Sequence, residues 1–486
     1  MFLKRNMTLM VQPRTFLPQS PSGDVSARDF LSAAGRRRLA AGTHKYLGVV
    51  EALETGIRQG ALEAGAQLPP QRELAALFGT TVATVTKAVA EAARRGIITA
   101  RSGSGTYVAA TPGEGTSERW GDLSLNIPPV AVSADIVSAS CRRMTQANMF
   151  SRVLDYAPVS GSAVNRSAGV TLFGLRGVRA QPERVLVTQG AHQGLLVALM
   201  ALTRPGDSVA CERLNYSGLR RIADLLQVKL VGIDSDADGM VVSQLRSRLR
   251  EGLIKAVVCT PSGHNPTSFV LSERRRADLV RFARSASVPV VEDDIYGLLA
   301  GDGLPPLAAL WPEGTVCVTS LSKCVAPGLR VGFSLLPPAW VSRAREALLS
   351  LGWTESSLQA ALATDLIQTG GLALCVARHQ TEARKRVTLA HSVLPANSIQ
   401  TAAHAASYHL WVGTGRSSPA DIAAELSRRG ILVSPAAHFL MDGSQAPHAL
   451  RVSLGGAPSA AALQEPLREL AGVLQNGSRS AYGAIV

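Results

Sequence analysis

The chain has 486 residues, 46% of them hydrophobic and 18% charged, with a formal net charge of +14 and an isoelectric point near 10.0. That length and apolar content suit two unequal folded parts with a sizeable core and exclude a wholly disordered chain. No run of about eighteen apolar residues occurs, no apolar core of signal-peptide length follows the cationic opening MFLKRNMTLMV, and the six cysteines show no C-x-x-C spacing, which together set aside membrane spans and disulfide-stapled secreted scaffolds and point to a reducing cytoplasm.

Residues 1–44 are basic, contain QPRTFLPQSPSGD and an RRR run, and hold no lasting periodicity, so they read as a disordered extension. From 45 to 110 the pattern changes. LGVVEALETGI has apolar residues at helical spacing, GAQLPP is a turn, QRELAALFG is a helix of about two turns, and TTVATVTKAVAEAARRG is a second, Thr-capped helix. Two helices around a tight turn are the helix-turn-helix plan, whose second helix suits a major groove, and IITARSGSGTYV then reads as two short strands around a Gly-rich tip, a wing. Residues 1 to 110 hold fourteen Lys plus Arg against seven Asp plus Glu, net +7, so half of the positive excess lies in under a quarter of the chain. A nucleic-acid partner explains that placement, with phosphate neutralisation supplying salt-sensitive affinity.

A Pro-, Gly- and Ser-rich stretch, TPGEGTSERWG (111–121), reads as a linker to residues 122–486. There, strand-like runs recur, each ending in residues able to do chemistry. RVLVT (184–188) runs into Gly190 and Ala191, which open a helix whose backbone N–H groups suit a phosphate, with His192 in the same turn. KAVVCT (255–260) leads into PSGHNPTS and places Asn265 before a proline. VPVVEDDIYG puts Asp293 three residues before Tyr296. TVCVT (315–319) feeds SLSKCVAPGLRVG, where Lys323 and Arg330 lie seven positions apart across a Pro-Gly turn, and LRVSLGG carries Arg451 at the edge of a short apolar run. A lysine amine condenses with an aldehyde to a Schiff base, an arginine fork grips a phosphate in two places, and open α/β sheets hold ligands at the carboxyl ends of their strands. Together these describe a seat for pyridoxal 5'-phosphate. A carboxylate such as Asp293 would keep the pyridine nitrogen protonated and the ring an electron sink, and Arg451 would fix a substrate carboxylate. Each feature alone has an ordinary structural explanation; the ordered set does not. The nine histidines show no ligand pattern, and no metal is expected.

This set resembles the fold-type I pyridoxal phosphate proteins of the aminotransferase-like branch, over roughly residues 122–486. The resemblance implies an α/β domain with a central mixed, mostly parallel sheet. In it Lys323 holds the cofactor covalently, Arg330, Ser320 and the Gly190-Ala191-His192 turn bind its phosphate, Asp293 faces the pyridine nitrogen, and Asn265 and Tyr296 face the phenolic oxygen. It further implies that Tyr216 stacks on the ring, that Tyr156 reaches a phosphate across a dimer interface, and that Arg451 binds an α-carboxylate. LPPQRELA and the RRG…GSGTYV wing resemble the α+β winged helix-turn-helix domain of the GntR family, and the fusion resembles the MocR subfamily of bacterial regulators. DNA contacts are then implied for Arg72, for Thr81, Thr84 and Lys87 of the recognition helix, and for Arg101 with Gly103 and Gly105 of the wing. The chain has Val82 where that family often carries an arginine, which removes one base-reading side chain.

The expectation is a pyridoxal phosphate-dependent, DNA-binding transcriptional regulator whose large domain senses an amine or amino-acid effector. A head-to-tail homodimer on a two-half-site, double-stranded operator follows from the resemblance. The alternative is a working aminotransferase with a DNA-binding appendage, favoured by the retention of Lys323, Asp293, Asn265, Tyr296, Arg330 and Arg451.

Overall fold

The computed structural model describes residues 31, 45–58, 61–62, 66–94, 97–101, 105–108, 121–146, 153–252, 254–301, 303–353, 355–400 and 406–480. The chain divides into two compact units, Met1–Glu118 and Arg119–Val486. Apart from Leu31 and Gly121, the expected extension (1–44) and linker (111–121) lie outside the described residues.

In the first unit, helix α1 (Lys45–Arg58) is followed by α2 (Gln71–Phe78), α3 (Val82–Arg94), strand β1 (Ile98–Arg101) and strand β2 (Gly105–Val108). The apolar residues that suggested helical spacing are the ones that meet: Val49, Leu53, Leu74, Phe78, Val85 and Ala92 are buried with Ile98 and Val108. Helix α2 stops at Gly79, whose left-handed φ of 60° places its N–H on the Ala75 and Ala76 carbonyls, and a side chain there would be strained. Thr81 then caps α3, its Oγ1 accepting the Thr84 N–H at 3.2 Å. Strands β1 and β2 pair antiparallel with Ile98 opposite Val108, and Leu68 donates its N–H to the Thr106 carbonyl at 2.8 Å, so the wing is sewn to the chain ahead of α2.

The second unit is built on a seven-stranded sheet in the order β3-β11-β10-β9-β8-β4-β5. Its strands are β3 (Val185–Thr188), β4 (Ser208–Glu212), β5 (Lys229–Ile233), β8 (Ile254–Cys259), β9 (Val290–Asp293), β10 (Thr315–Ser320) and β11 (Gly332–Leu335). All run in one direction except β11, which pairs antiparallel with both β10 and β3. Helices cover both faces, which is why the strands are near-continuous runs of Val, Leu, Ile and Cys instead of alternating patterns. Each buried Val or Leu there contributes about 2 kcal/mol. Between β5 and β8 a short hairpin pairs β6 (Ser235–Asp236) with β7 (Gly239–Met240). Beyond the large sheet, β12 (His409–Gly413), β13 (Ser434–Pro435) and β14 (Ala449–Ser453) form a smaller antiparallel sheet with its own apolar core. Among the described residues no single helix is long and apolar enough to cross a membrane.

Candidate functional site

Because six strands of the large sheet share a direction, the segments that follow β3, β4, β8, β9 and β10 all emerge at one edge. A cavity of about 460 Å³ opens there, lined by Ala191, His192, Tyr216, Asn265, Asp293, Tyr296, Lys323 and Arg330 among others. Eight residues singled out from five separate stretches of sequence therefore share one space.

The Arg330 side of this cavity is shaped by two glycines. Gly190 has φ of 80°, and an added Cβ would meet the Arg330 guanidinium at 3.1 Å; Gly332, on β11, comes so close that its own Cβ would lie 2.7 Å from the Gly190 carbonyl carbon. The turn can thus lie flat against β11 and present the N-terminus of the helix Ala191–Leu202 to the cavity. Arg330 holds a left-handed φ of 49°, uncommon for a side-chain-bearing residue, and donates from Nη2 to the Gln189 carbonyl at 3.0 Å, which fixes the fork beside that helix end. Burial, then Arg330 and Arg221, push the His192 pKa down, so that its imidazole stays neutral next to the cations. Tyr216 meets His192 edge to face, ring centroids 6.0 Å apart.

At the centre, Asp293 ends β9 beside Val318 of β10 and is 7% exposed. Burial raises its carboxyl to about 7, against the pull of the Ile295 N–H, which it accepts at 3.3 Å. The Lys323 amine is lowered to about 7, by burial first and the Arg451 charge second, with Asp293 opposing. It donates to the Asn126 carbonyl and lies 5.5 Å from the Tyr296 ring centroid. On the far side, Arg451 stands on β14 with Trp411 and Ser434 as its strand neighbours; it donates from Nη1 to Asn265 Oδ1 at 2.9 Å and from Nη2 to the Ser124 carbonyl. Its pKa falls to about 10, mainly through burial.

Three expected residues stand apart from this cavity. Ser320 is buried at the end of β10 and its Oγ accepts the Ser322 N–H at 3.3 Å, while Ser322 is the serine that lines the cavity. Arg451 does not line the cavity; it reaches it only through its hydrogen bond to Asn265, which does. Tyr156 is 83% exposed, its ring 5.9 Å from that of Trp353. Conversely, Asn126 was not anticipated: its Nδ2 donates to the Tyr296 hydroxyl at 2.6 Å and to His409 Nδ1 at 3.0 Å, while its backbone carbonyl receives Lys323. Since an amide N–H faces Nδ1, His409 carries its proton on Nε2 and donates it to the His264 carbonyl at 3.0 Å, and burial lowers its pKa to about 3. Nothing in the segment LSLNIPP marks that asparagine out.

In the first unit Arg72 is exposed on α2, and Val82, 43% exposed, heads α3. Thr81 and Thr84 share a hydroxyl contact of 2.9 Å within the helix cap, and the exposed Lys87 lies with Nζ 4.4 Å from the Tyr46 ring centroid, bracing α3 on α1. Arg101 and Gly105 are the facing ends of β1 and β2, and Gly103 lies outside the described residues.

Two family descriptions match the chain: aminotransferase class I and II over residues 118–470, and bacterial regulatory proteins of the gntR family over residues 45–108. The uncharacterized HTH-type transcriptional regulator YdeF of Bacillus subtilis is 28% identical over 415 residues, covering 84% of this chain and 90% of the relative. The HTH-type transcriptional regulator TauR of Rhodobacter capsulatus is 28% identical, covering 79% and 87%, and the HTH-type pyridoxine biosynthesis transcriptional regulator PdxR of Corynebacterium glutamicum is 27% identical, covering 60% and 65%. Among solved structures, the α-aminoadipate aminotransferase LysN of Thermus thermophilus superposes with a TM-score of 0.67 at 21% identity, covering 74% of this chain and 93% of that one, which fixes the large unit as a fold-type I aminotransferase fold. The chain belongs to the aminotransferase class I and II family and carries a gntR-family DNA-binding domain ahead of it, the pairing of the MocR subfamily of transcriptional regulators.

Proposed function

We propose that this protein is a pyridoxal phosphate-dependent transcriptional regulator in which the residues gathered around Lys323 and Asp293 hold the cofactor and receive an amine or amino-acid effector. The observation that carries this reading is the meeting of an amine lowered to about 7, a buried carboxylate and an arginine beside a helix N-terminus in one cavity. The fit to the cofactor is specific. A carboxylate buried at Asp293 needs a cationic N–H, which a pyridinium supplies, and the close approach of Gly190 to Arg330 leaves an anion cradle rather than a filled corner.

When bound, pyridoxal phosphate supplies an electrophilic aldehyde and an electron sink. The chain's residues do the rest. Asp293 keeps a proton on the ring nitrogen. Arg330 and the backbone N–H groups at Ala191 and His192 bind phosphate, and Tyr216 offers a ring face. Because its pKa is lowered to about 7, a far larger share of the Lys323 amine is neutral at neutral pH than of an amine at 10.5, which is almost wholly charged; it can act as nucleophile and then as proton carrier. Arg451 exchanges its contacts to Asn265 and Ser124 for an effector carboxylate. In the first unit, Arg72, the exposed head of α3 and the wing bind an operator, with Val82 suited to a thymine methyl and not to a guanine edge. The protein acts as a head-to-tail homodimer on two half-sites in the cytoplasm, Tyr156 completing the partner's phosphate site.

The direct test is the visible absorbance of purified protein. A cofactor band is expected in the wild type and is lost in Lys323→Ala; a band that survives the substitution refutes the assignment. Measuring whether the bound cofactor is consumed by amino acids separates sensing from turnover, and release of a keto acid over many cycles would favour the aminotransferase reading.

A further inference from the structure

Glu212 ends β4 in the interior, 0% exposed, on the strand that pairs directly with β8, whose following loop leads to Asn265. Its two carboxylate oxygens are divided between two loops. Oε1 accepts the Thr260 N–H at 3.1 Å, at the head of the loop that carries Asn265, and Oε2 accepts Asn215 Nδ2 at 2.8 Å. Asn215 in turn accepts the Tyr216 N–H on its Oδ1 at 2.6 Å, and donates its own N–H to the Phe439 carbonyl at 2.9 Å. Thr260, Tyr216 and Asn265 all line the cavity, whereas Glu212 does not.

We infer that Glu212 is a positioning residue: acting through Asn215 and Thr260, it sets the separation of Tyr216 from Asn265 and so the width and tilt of the cofactor's seat. This rests on the cofactor reading above. The chemistry requires a carboxylate, because both of its oxygens must accept. With glutamine at 212, one position becomes an amide NH2 that meets either the Thr260 N–H or Asn215 Nδ2, donor against donor. Were Asn215 to turn its amide over in compensation, its own NH2 would face the Tyr216 N–H. Every arrangement leaves one bond of the chain broken.

The test compares full-length wild type, Glu212→Gln and Asn215→Ala, each titrated with pyridoxal phosphate, with the visible circular dichroism of the bound cofactor as a reading of ring tilt. Leaving one buried hydrogen-bonding group of this chain unsatisfied predicts affinity weaker by roughly tenfold to a hundredfold, a changed visible dichroism and an unchanged far-ultraviolet spectrum. The double variant should be little worse than either single one, since both cut the same chain. Wild-type affinity and dichroism in a folded Glu212→Gln protein would overturn the inference. So would additive losses in the double variant, and so would a folded Asn215→Ala protein with wild-type dichroism if Glu212→Gln does not fold. Failure of the wild type itself to bind cofactor would instead remove the reading beneath it.

Discussion

Replacing Asp293 by asparagine should make the cofactor-free protein more stable while it loses its cofactor, and the structure sets the size of the trade. The carboxyl is raised from an ordinary 3.8 to about 7, by burial first, with the Ile295 N–H and Lys323 opposing and Asp294 and Glu212 adding. A folded-state value above the unfolded one means that, between about pH 4 and about pH 7, the folded chain keeps a proton the unfolded chain has released. Stability is therefore lost as pH rises through that window, and the cost is complete above it. At ~1.4 kcal/mol per pH unit this amounts to at most about 4 kcal/mol. Asparagine carries no charge at any pH and its Oδ1 can still accept the Ile295 N–H. Urea unfolding of both cofactor-free proteins should coincide below about pH 4 and diverge to that difference by about pH 8, with the variant the more stable. In the same protein pyridoxal phosphate should bind far more weakly, for want of a negative partner to the ring nitrogen. A stability difference that is flat in pH, or a variant that binds cofactor as well as the wild type, would refute the assignment of this carboxylate. The expectation also follows the general trade between activity and stability, since a buried charge is kept where function needs it.

Three further outcomes follow from the same geometry. In cofactor-free protein the reactivity of Lys323 toward an aldehyde should rise with a midpoint near 7, and Arg451→Met, by removing the second largest influence on the amine, should move that midpoint upward; a midpoint in the ordinary lysine range would contradict the pocket's electrostatics. Arg72→Ala should weaken operator binding by roughly tenfold and reduce the slope of log affinity against log salt by ~1, leaving the cofactor band unchanged, as gel-shift titrations at several salt concentrations will show. Tyr156→Phe should weaken cofactor binding although the residue is 83% exposed on its own chain, and mixing it with Lys323→Ala should restore one sound site per mixed dimer; absence of that complementation would place Tyr156 outside the partner's site.

The sequence made the large sheet legible because its strands are buried on both faces and each is followed at once by the residue that matters. RVLVT, KAVVCT, VPVVED and TVCVT lie on β3, β8, β9 and β10, and their C-terminal positions place Asp293 and Lys323 at one edge with no further information than parallel direction. The helix pair and wing were legible for a different reason: helical spacing, a turn and a Gly-rich tip are local signals, and α2, α3, β1 and β2 form where those signals stand. Finer choices were not local. Both Ser320 and Ser322 follow the same strand, and only the turn of the backbone after β10 decides that Ser322 faces the cavity while Ser320 is enclosed.

What spacing alone could not deliver is the set of contacts that cross between distant segments. Arg451 is recognisable as a cation beside an apolar run, but its place depends on β14 lying between Trp411 of β12 and Ser434 of β13, and on Asn265 of the loop after β8 accepting its hydrogen bond. Asn126 is more extreme. It is a single polar residue in LSLNIPP, and it acquires significance only because its carbonyl receives Lys323 while its amide holds Tyr296 and His409. Glu212 is equally silent in sequence, since an acid at the end of a strand is most often solvated, and only burial beside Thr260 and Asn215 turns it into an acceptor for two loops. Residues that touch a ligand tend to follow strand ends, where a pattern can find them, whereas residues that hold those side chains in place are selected by neighbours far away in the chain, so the supporting layer of such a site is visible only once the fold has closed around it.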